Sequence, residues 1–212
     1  MRPSEEAAVR GRPGAVVIDL GGVLVQFNHQ VFGEVFDTRT DAAAWWRFVL
    51  QHPAYRGFEL GTASLSELAE AAVAELCAPG VDADRFVRAL AAWPAQPFPG
   101  ARAAVEGARR LGVPVVLLSN TNPLHWGVLR AEFESVFDRC FLSYETGVLK
   151  PDPGAFAGVE AALGVAPADL LFFDDNAHNI EVARGRGWRA VRVEGPEGIT
   201  AEVSAQRRAP TA

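Results

Sequence analysis

Short apolar runs recur along the chain, and each one ends at polar or glycine residues. Three are pronounced: residues 15–19 (AVVID), 113–118 (VPVVLL) and 170–173 (LLFF). Runs of this length that are bounded by turn residues and are rich in branched or aromatic side chains predict buried β-strands. Two weaker runs, residues 140–143 and 190–193, predict two further strands.

Helical patterns separate the predicted strands. They cover residues 101–111, 152–163 and 179–186. Strands that alternate with helices in this way predict a parallel sheet that is covered by helices on both faces. We therefore expect an α/β fold.

Residues 29–98 break this alternation, because they contain no convincing strand. The stretch is rich in Ala, Leu and Glu, and Ser64 with Glu67 three residues later forms a capping box, which starts a helix. We therefore predict that residues 29–98 are a helical insertion. The core would then consist of residues 15–28 and 99–200.

Composition and charge narrow the classes of function. Of the 212 residues, 49% are hydrophobic and 22% are charged, which is typical of a folded globular protein. The net charge of −6 argues against nucleic acid as a partner, because binding to nucleic acid depends on clustered basic side chains. No apolar run approaches the roughly 18 residues that a membrane span needs, so we expect no membrane partner.

The ends of the chain and its cysteines suggest a compartment. Residues 1–14 and 204–212 carry charge and proline, and we predict flexible tails without a secretory signal. The two cysteines, Cys77 and Cys140, match no zinc-binding spacing and are too few for a disulfide framework. We expect buried thiols in a reducing compartment, the cytoplasm.

Polar side chains follow three of the predicted strands. In an open α/β sheet, the carboxyl ends of the strands line the ligand crevice, so these side chains should surround one site. The residues are Asp19, Ser119, Asn120, Asp174 and Asp175.

A single lysine adds a cation to this predicted site. Lys150 lies in the segment GVLKPDP, and all 19 other basic residues are arginines. Several carboxylates near one cation favour Mg²⁺, which binds carboxylates together with substrate phosphate. A carboxylate such as Asp19 can attack phosphorus to form an aspartyl-phosphate, and Ser119 can donate a hydrogen bond to a phosphate oxygen. Alone, Asp19 would be read as a helix cap; the full set of motifs favours catalysis.

Four segments, in this order, resemble the motifs of the haloacid dehalogenase (HAD)-like hydrolase superfamily. They are residues 16–24 (VVIDLGGVL), 115–122 (VVLLSNTN), 147–156 (GVLKPDPGAF) and 171–180 (LFFDDNAHNI). The resemblance implies a Rossmannoid core with strand order 5-4-1-2-3 and a helical cap domain in the insertion.

The resemblance also implies roles for the site residues and a Mg²⁺ cofactor. Asp19 would be the nucleophile and a metal ligand, and Lys150 would stabilise the charge on Asp19 and on the phosphate. Asp175 would be the direct metal ligand of the acidic pair, and Asp174 the second metal residue. Gly21 would offer its main-chain carbonyl to the metal. Ser119 and Asn120 would bind the phosphate with their side chains.

One position departs from the superfamily's pattern. Most of its phosphatases carry a second aspartate two residues after the nucleophile, which protonates the leaving oxygen, whereas this chain has Gly21. Haloacid dehalogenases also lack this acid, and so does a branch that resembles α-D-glucose-1-phosphate phosphatases. Residues 58–71 (FELGTASLSELAEA) resemble the cap motif of that branch, and Arg56 and Glu59 are the expected substrate contacts there.

The expected function is therefore Mg²⁺-dependent hydrolysis of a small phosphorylated metabolite, such as a sugar 1-phosphate. An anomeric oxygen leaves without help from an acid more readily than an ordinary alcohol does. Two alternatives stay open: a dehalogenase, and a catalytically silent binding or regulatory protein that has kept the fold. Trp45, Trp46 and Phe48 are expected to pack the cap helices, with a sugar-stacking role as the alternative.

Overall fold

The computed structural model describes residues 11–208. Within this range the chain forms the following strands: β1 (Ala15–Ile18), β2 (Val25–Phe27), β3 (Pro94–Pro97), β4 (Val115–Ser119), β5 (Arg139–Leu142), β6 (Leu170–Asp174) and β7 (Arg189–Arg192). Its α-helices are α1 (Ala42–Gln51), α2 (Pro53–Glu59), α3 (Leu65–Glu75), α4 (Ala83–Ala92), α5 (Ala101–Arg109), α6 (Pro123–Phe133), α7 (Ser143–Thr146), α8 (Pro153–Leu163), α9 (Ala177–Gly185) and α10 (Glu197–Arg208).

Five parallel strands form the central sheet, in the order β5-β4-β1-β6-β7. This confirms the predicted α/β fold. Along the chain, β1, β4, β5, β6 and β7 are the first to fifth strands of this sheet, so the order read from β7 is 5-4-1-2-3, as the resemblance implies. Strand β1 lies in the middle, where Val16 pairs with Val115 of β4 and with Leu171 of β6. The carboxyl ends of β1, β4 and β6 therefore meet at one edge of the sheet.

Both faces of this sheet are buried, which explains why its strands are almost continuously apolar. Val16 and Ile18 of β1 point into the cluster that α5, α6 and α10 cover. Ala15 and Val17 point into the opposite cluster, which α8 and α9 cover. The sheet is thus the middle layer of three.

The insertion has an apolar cluster of its own. Helices α1 to α4 surround a group of aliphatic and aromatic side chains, and the aromatic ones include Phe32, Trp45, Phe86 and Trp93. Ser64 and Glu67 form the predicted capping box at the start of α3. In the described residues, no helix is both long and apolar enough to span a bilayer.

The prediction that residues 29–98 contain no strand is wrong at the end of this stretch. Strand β3 pairs antiparallel with β2 in a separate two-stranded sheet. The sequence of β3, PAQP, hides it because proline lacks the N–H that an interior strand donates. An edge position in a two-stranded sheet tolerates this loss, and Val25 pairs with Pro97 there.

The structure describes part of each predicted tail. Residues 204–208 form the last part of α10, which Ile199 and Val203 fix in the core. Near the other end, the Gly14 amide donates a hydrogen bond to the Asp169 carbonyl over 2.8 Å. The rest of both predicted tails, residues 1–10 and 209–212, lies outside the described residues.

Candidate active site

Asp19 directly follows β1, at the carboxyl edge of the sheet. Its amide donates a hydrogen bond to the Phe173 carbonyl over 2.9 Å, which continues the pairing of β1 with β6. The chain then turns at Gly22, whose φ is +71°. A Cβ on Gly22 would overlap the carboxylate of Asp175, so glycine lets the turn approach the acidic pair closely.

Lys150 joins two of the aspartates. Its Nζ lies 2.8 Å from Oδ1 of Asp19 and 2.7 Å from Oδ2 of Asp174. Only 1% of the lysine side chain is exposed. A buried ammonium that donates to two carboxylates holds both of them at a fixed distance from each other.

Asn120 fixes the loop that carries this lysine. Its Nδ2 donates to the Lys150 carbonyl over 2.8 Å, and its Oδ1 accepts from the Lys150 amide over 2.8 Å. The side chain of Asn120, predicted to bind phosphate, is thus engaged with the Lys150 main chain.

Asp174 is fully buried and surrounded by donors. Besides Lys150, its carboxylate accepts hydrogen bonds from the Asn176 amide over 2.8 Å and from Nδ2 of Asn179 over 3.0 Å to each oxygen. Oδ1 of Asn179 is buried and has no hydrogen-bond partner among the described residues. The sequence reasoning missed Asn179, which lies in the first turns of the helix after the acidic pair.

Asp175 completes an acidic triad with Asp19 and Asp174. Each residue offers a carboxylate oxygen, and these oxygens all lie within 4.8 Å of one another. Hard oxygen donors at this spacing fit Mg²⁺. The three carboxylates are crowded together; Lys150 contacts two of them, and the charge of Arg192 also acts on Asp175.

The crowding of these carboxylates also affects the pKa values of Asp19 and Asp175. Burial raises the pKa of Asp19 to about 7; the negative charges of Asp174 and Asp175 add to this rise, while Lys150 opposes it. Burial and the charge of Asp174 also raise the pKa of Asp175. A bound divalent cation would stabilise the ionised form of both carboxylates.

A cavity of about 530 Å³ opens between this edge of the sheet and the insertion. Seven of the predicted site residues line it: Asp19, Gly21, Arg56, Glu59, Asn120, Lys150 and Asp175. Burial raises the pKa of Glu59 to about 8, although Arg56 and Lys150 oppose this rise.

Two predicted site residues do not line the cavity. Ser119 is buried at the end of β4, where its hydroxyl lies 3.4 Å from the Asn120 carbonyl, and Asp174 lies behind the cavity wall. His125 does line the cavity, but both of its ring nitrogens have partners, the Leu90 carbonyl and the Asn122 side chain. Burial lowers the pKa of His125 to about 4, so the ring is neutral at pH 7.

The aromatic residues of α1 divide between two environments. Trp45 and Phe48 are buried in the insertion, as predicted, whereas Trp46 is 38% exposed and lines the cavity. The cysteines are free and half-buried rather than buried.

Two curated relatives match part of the chain. Phosphatase MT3486 of Mycobacterium tuberculosis is 41% identical over 103 residues, which are 47% of this chain and 48% of that protein. (S)-2-haloacid dehalogenase 2 of Pseudomonas sp. is 32% identical over 96 residues, which are 44% of this chain and 42% of that protein. The chain therefore spans about half the length of these relatives or less.

A solved structure extends the likeness to most of the fold. A HAD family enzyme of Bacteroides thetaiotaomicron, crystallised with magnesium and inorganic phosphate, superposes with a TM-score of 0.67 at 24% identity. The match covers 85% of this chain and 93% of that one. The model of the haloacid dehalogenase-like hydrolase family matches residues 13–187, and these cover most of the sheet and the whole acidic triad. The chain therefore belongs to the haloacid dehalogenase-like hydrolase family.

Proposed function

We propose that this protein is a Mg²⁺-dependent phosphatase that hydrolyses a small phosphomonoester through an aspartyl-phosphate on Asp19. The observation that carries this proposal is the buried contact of Lys150 with Asp19 and Asp174, next to Asp175. An ammonium and a cluster of hard oxygen donors are the groups that a phosphoryl transfer needs around its nucleophile.

Asp19 would perform both chemical steps. One of its carboxylate oxygens attacks phosphorus, the bond from phosphorus to the leaving oxygen breaks, and the leaving oxygen keeps the electron pair. Water then attacks phosphorus, and the bond to Asp19 breaks with its electron pair returning to the carboxylate. The proton that this water loses to solvent balances the proton that the departed leaving oxygen takes up from solvent. Lys150 balances negative charge on the phosphoryl oxygens, and the insertion excludes bulk water.

The metal would be held by Asp19, Asp175 and the main-chain carbonyl of Gly21. When bound, Mg²⁺ neutralises negative charge on the phosphate oxygens. Asp174 would act from behind by holding Lys150 in place, since its carboxylate already accepts several hydrogen bonds from the protein. We propose Ser119 as a hydroxyl donor to phosphate, while Asn120 acts by fixing the Lys150 loop.

We further propose that the substrate is a sugar 1-phosphate and that it is hydrolysed in the cytoplasm. Gly21 offers no acid to protonate the leaving oxygen, which favours leaving groups that depart unprotonated. An anomeric oxygen has this property. Arg56 and Glu59 line the cavity and are the proposed contacts to the sugar.

The test compares glucose 1-phosphate with glucose 6-phosphate, with phosphate release as the readout, in Mg²⁺ and in excess chelator. We expect kcat/KM to favour the 1-phosphate by about a hundredfold and expect chelation to abolish turnover of both. A preference for the 6-phosphate would contradict the proposed substrate class. Turnover that is unaffected by the chelator would contradict the metal dependence.

A dehalogenase is the second candidate, because Gly21 suits a halide leaving group and a haloacid dehalogenase is among the relatives. Asp19 would then attack carbon, and no metal would be needed. Halide release from 2-chloropropionate in excess chelator would support this candidate. A silent binding protein would instead bind a phosphate analogue and turn over neither class of substrate.

A further inference from the structure

Exposed apolar side chains are concentrated in the candidate active site. Among the described residues, four large apolar side chains are exposed: Phe27, Trp46, Leu50 and Val128. The first three line the cavity that also contains Asp19. Apolar surface in contact with water is unfavourable, and its concentration in one cavity marks a surface that a ligand covers.

Phe27 and Trp46 are held in fixed positions by a third ring. Trp93 is buried behind them, and its ring centroid lies 4.7 Å from that of Phe27 and 5.6 Å from that of Trp46. Nε1 of Trp93 lies 3.3 Å from Nδ1 of His29, to which it donates a hydrogen bond. The exposed parts of Phe27 and Trp46 are therefore a preformed surface.

This surface begins next to the nucleophile loop. A Cβ on Gly21 would lie only 2.8 Å from Cζ of Phe27, so the ring of Phe27 contacts the residue two positions after Asp19. A phosphate that is bound at Asp19 would direct its leaving group into the part of the cavity that Phe27 and Trp46 line.

Polar groups of α2 line the same cavity. The side chain of Glu59 has no hydrogen bond or ion pair with any other described residue, and the side chain of Arg56 donates only a long hydrogen bond, 3.4 Å, to the Leu50 carbonyl. The cavity thus combines flat apolar rings with polar side chains whose hydrogen-bonding capacity is largely unused. A pyranose ring has the matching chemistry, an apolar C–H face and an edge of hydroxyl groups.

We infer that Phe27 and Trp46 form an aromatic platform on which the ring of the leaving group stacks, with the ring hydroxyls turned toward Arg56 and Glu59. This inference rests on the proposed phosphatase function. It adds that contact with these two aromatic side chains, and not the reactivity of the leaving group alone, selects a substrate with a ring.

The test compares glucose 1-phosphate with acetyl phosphate, which is also activated but has no ring. In the presence of Mg²⁺, Trp46→Ala is expected to raise the ratio of the two KM values, glucose 1-phosphate over acetyl phosphate, by about tenfold. Trp46→Phe should restore most of the original ratio, because it keeps an aromatic face. Val128→Ala is the matched control, since Val128 is exposed but does not line the cavity, and it should leave the ratio unchanged.

The outcomes separate the two proposals. If Trp46→Ala leaves the KM ratio unchanged, or if the wild-type protein hydrolyses acetyl phosphate but not glucose 1-phosphate, the aromatic platform is refuted and the phosphatase proposal stands. If the wild-type protein hydrolyses neither compound, the phosphatase proposal fails and the platform fails with it.

Discussion

The ring of Phe27 occupies the space into which a side chain at Gly21 would extend. Cζ of Phe27 lies 2.8 Å from the position that a Cβ on Gly21 would take. The position two residues after the nucleophile therefore lacks a carboxylate, and any side chain there would have to displace the ring of Phe27. The ring of Phe27 packs against Gly21, so the absence of an acid at this position involves the packing of Phe27 as well as the choice of glycine.

This match predicts a strong coupling between the two positions. Gly21→Ala should lower the free energy of unfolding by about 1–3 kcal/mol, because the added methyl group meets the ring. In a Phe27→Ala background the same change should cost less than about 0.5 kcal/mol. Urea unfolding of the four proteins measures the coupling, and additive costs would contradict it. Gly158→Ala is the control, since a Cβ there has open space, and it should not destabilise the protein.

Removal of the buried lysine should be costly for both stability and activity. Lys150→Met leaves the carboxylates of Asp19 and Asp174 buried without their cation, so we expect a loss of about 3–5 kcal/mol in the free energy of unfolding, together with loss of turnover. Arg102→Met breaks the half-exposed pair with Glu106 and should cost less than about 1 kcal/mol. Equal costs in the two variants would contradict the account of Lys150.

The two neighbouring aspartates should respond differently to the same change. Asp174→Asn places an amide NH2, which is a donor, opposite groups that donate hydrogen bonds to the wild-type carboxylate. It should therefore lower the free energy of unfolding by about 1–3 kcal/mol. Asp175→Asn should instead weaken Mg²⁺ binding by about tenfold or more, with a smaller loss of stability, because it removes a carboxylate whose pKa is already raised. Calorimetric titration with Mg²⁺ and urea unfolding measure the two effects. The assignment fails if the two variants show the same pattern.

Glu59 should make stability depend on pH. Burial raises its pKa to about 8 from an ordinary value of 4.5. Between these values the folded state holds a proton that the unfolded state has released, so this group lowers the free energy of unfolding as pH rises through the window. Glu59→Gln removes this contribution, and its stability relative to the wild-type protein should increase from about pH 5 to about pH 8. The free energy of unfolding of both proteins is measured with urea at several pH values. If the two free energies change in parallel with pH, the prediction is refuted.

The sequence was sufficient to predict the five-stranded sheet and the meeting of Asp19, Lys150 and the acidic pair. The apolar runs are continuous because both faces of the sheet are buried, and the polar residues stand at strand ends that the topology brings together. Strand β3 escaped prediction because its prolines suit only an edge position.

Other features depend on packing that no local pattern records. Trp45 and Trp46 are adjacent in sequence, and only the packing of the insertion decides that the first is buried and the second lines the cavity. The contact of Gly21 with Phe27 depends on how the chain returns through β2. The engagement of Asn120 with the Lys150 main chain requires two loops to meet, 30 residues apart.

The most direct test of the account is to detect the covalent intermediate on Asp19. Turnover of glucose 1-phosphate in Mg²⁺ is stopped with acid, and the peptide that contains Asp19 is examined by mass spectrometry. We predict the added mass of one phosphoryl group on Asp19 in the wild-type protein, and neither the adduct nor turnover in a folded Asp19→Asn variant. Phosphate release by the Asp19→Asn variant at the wild-type rate would contradict the central claim.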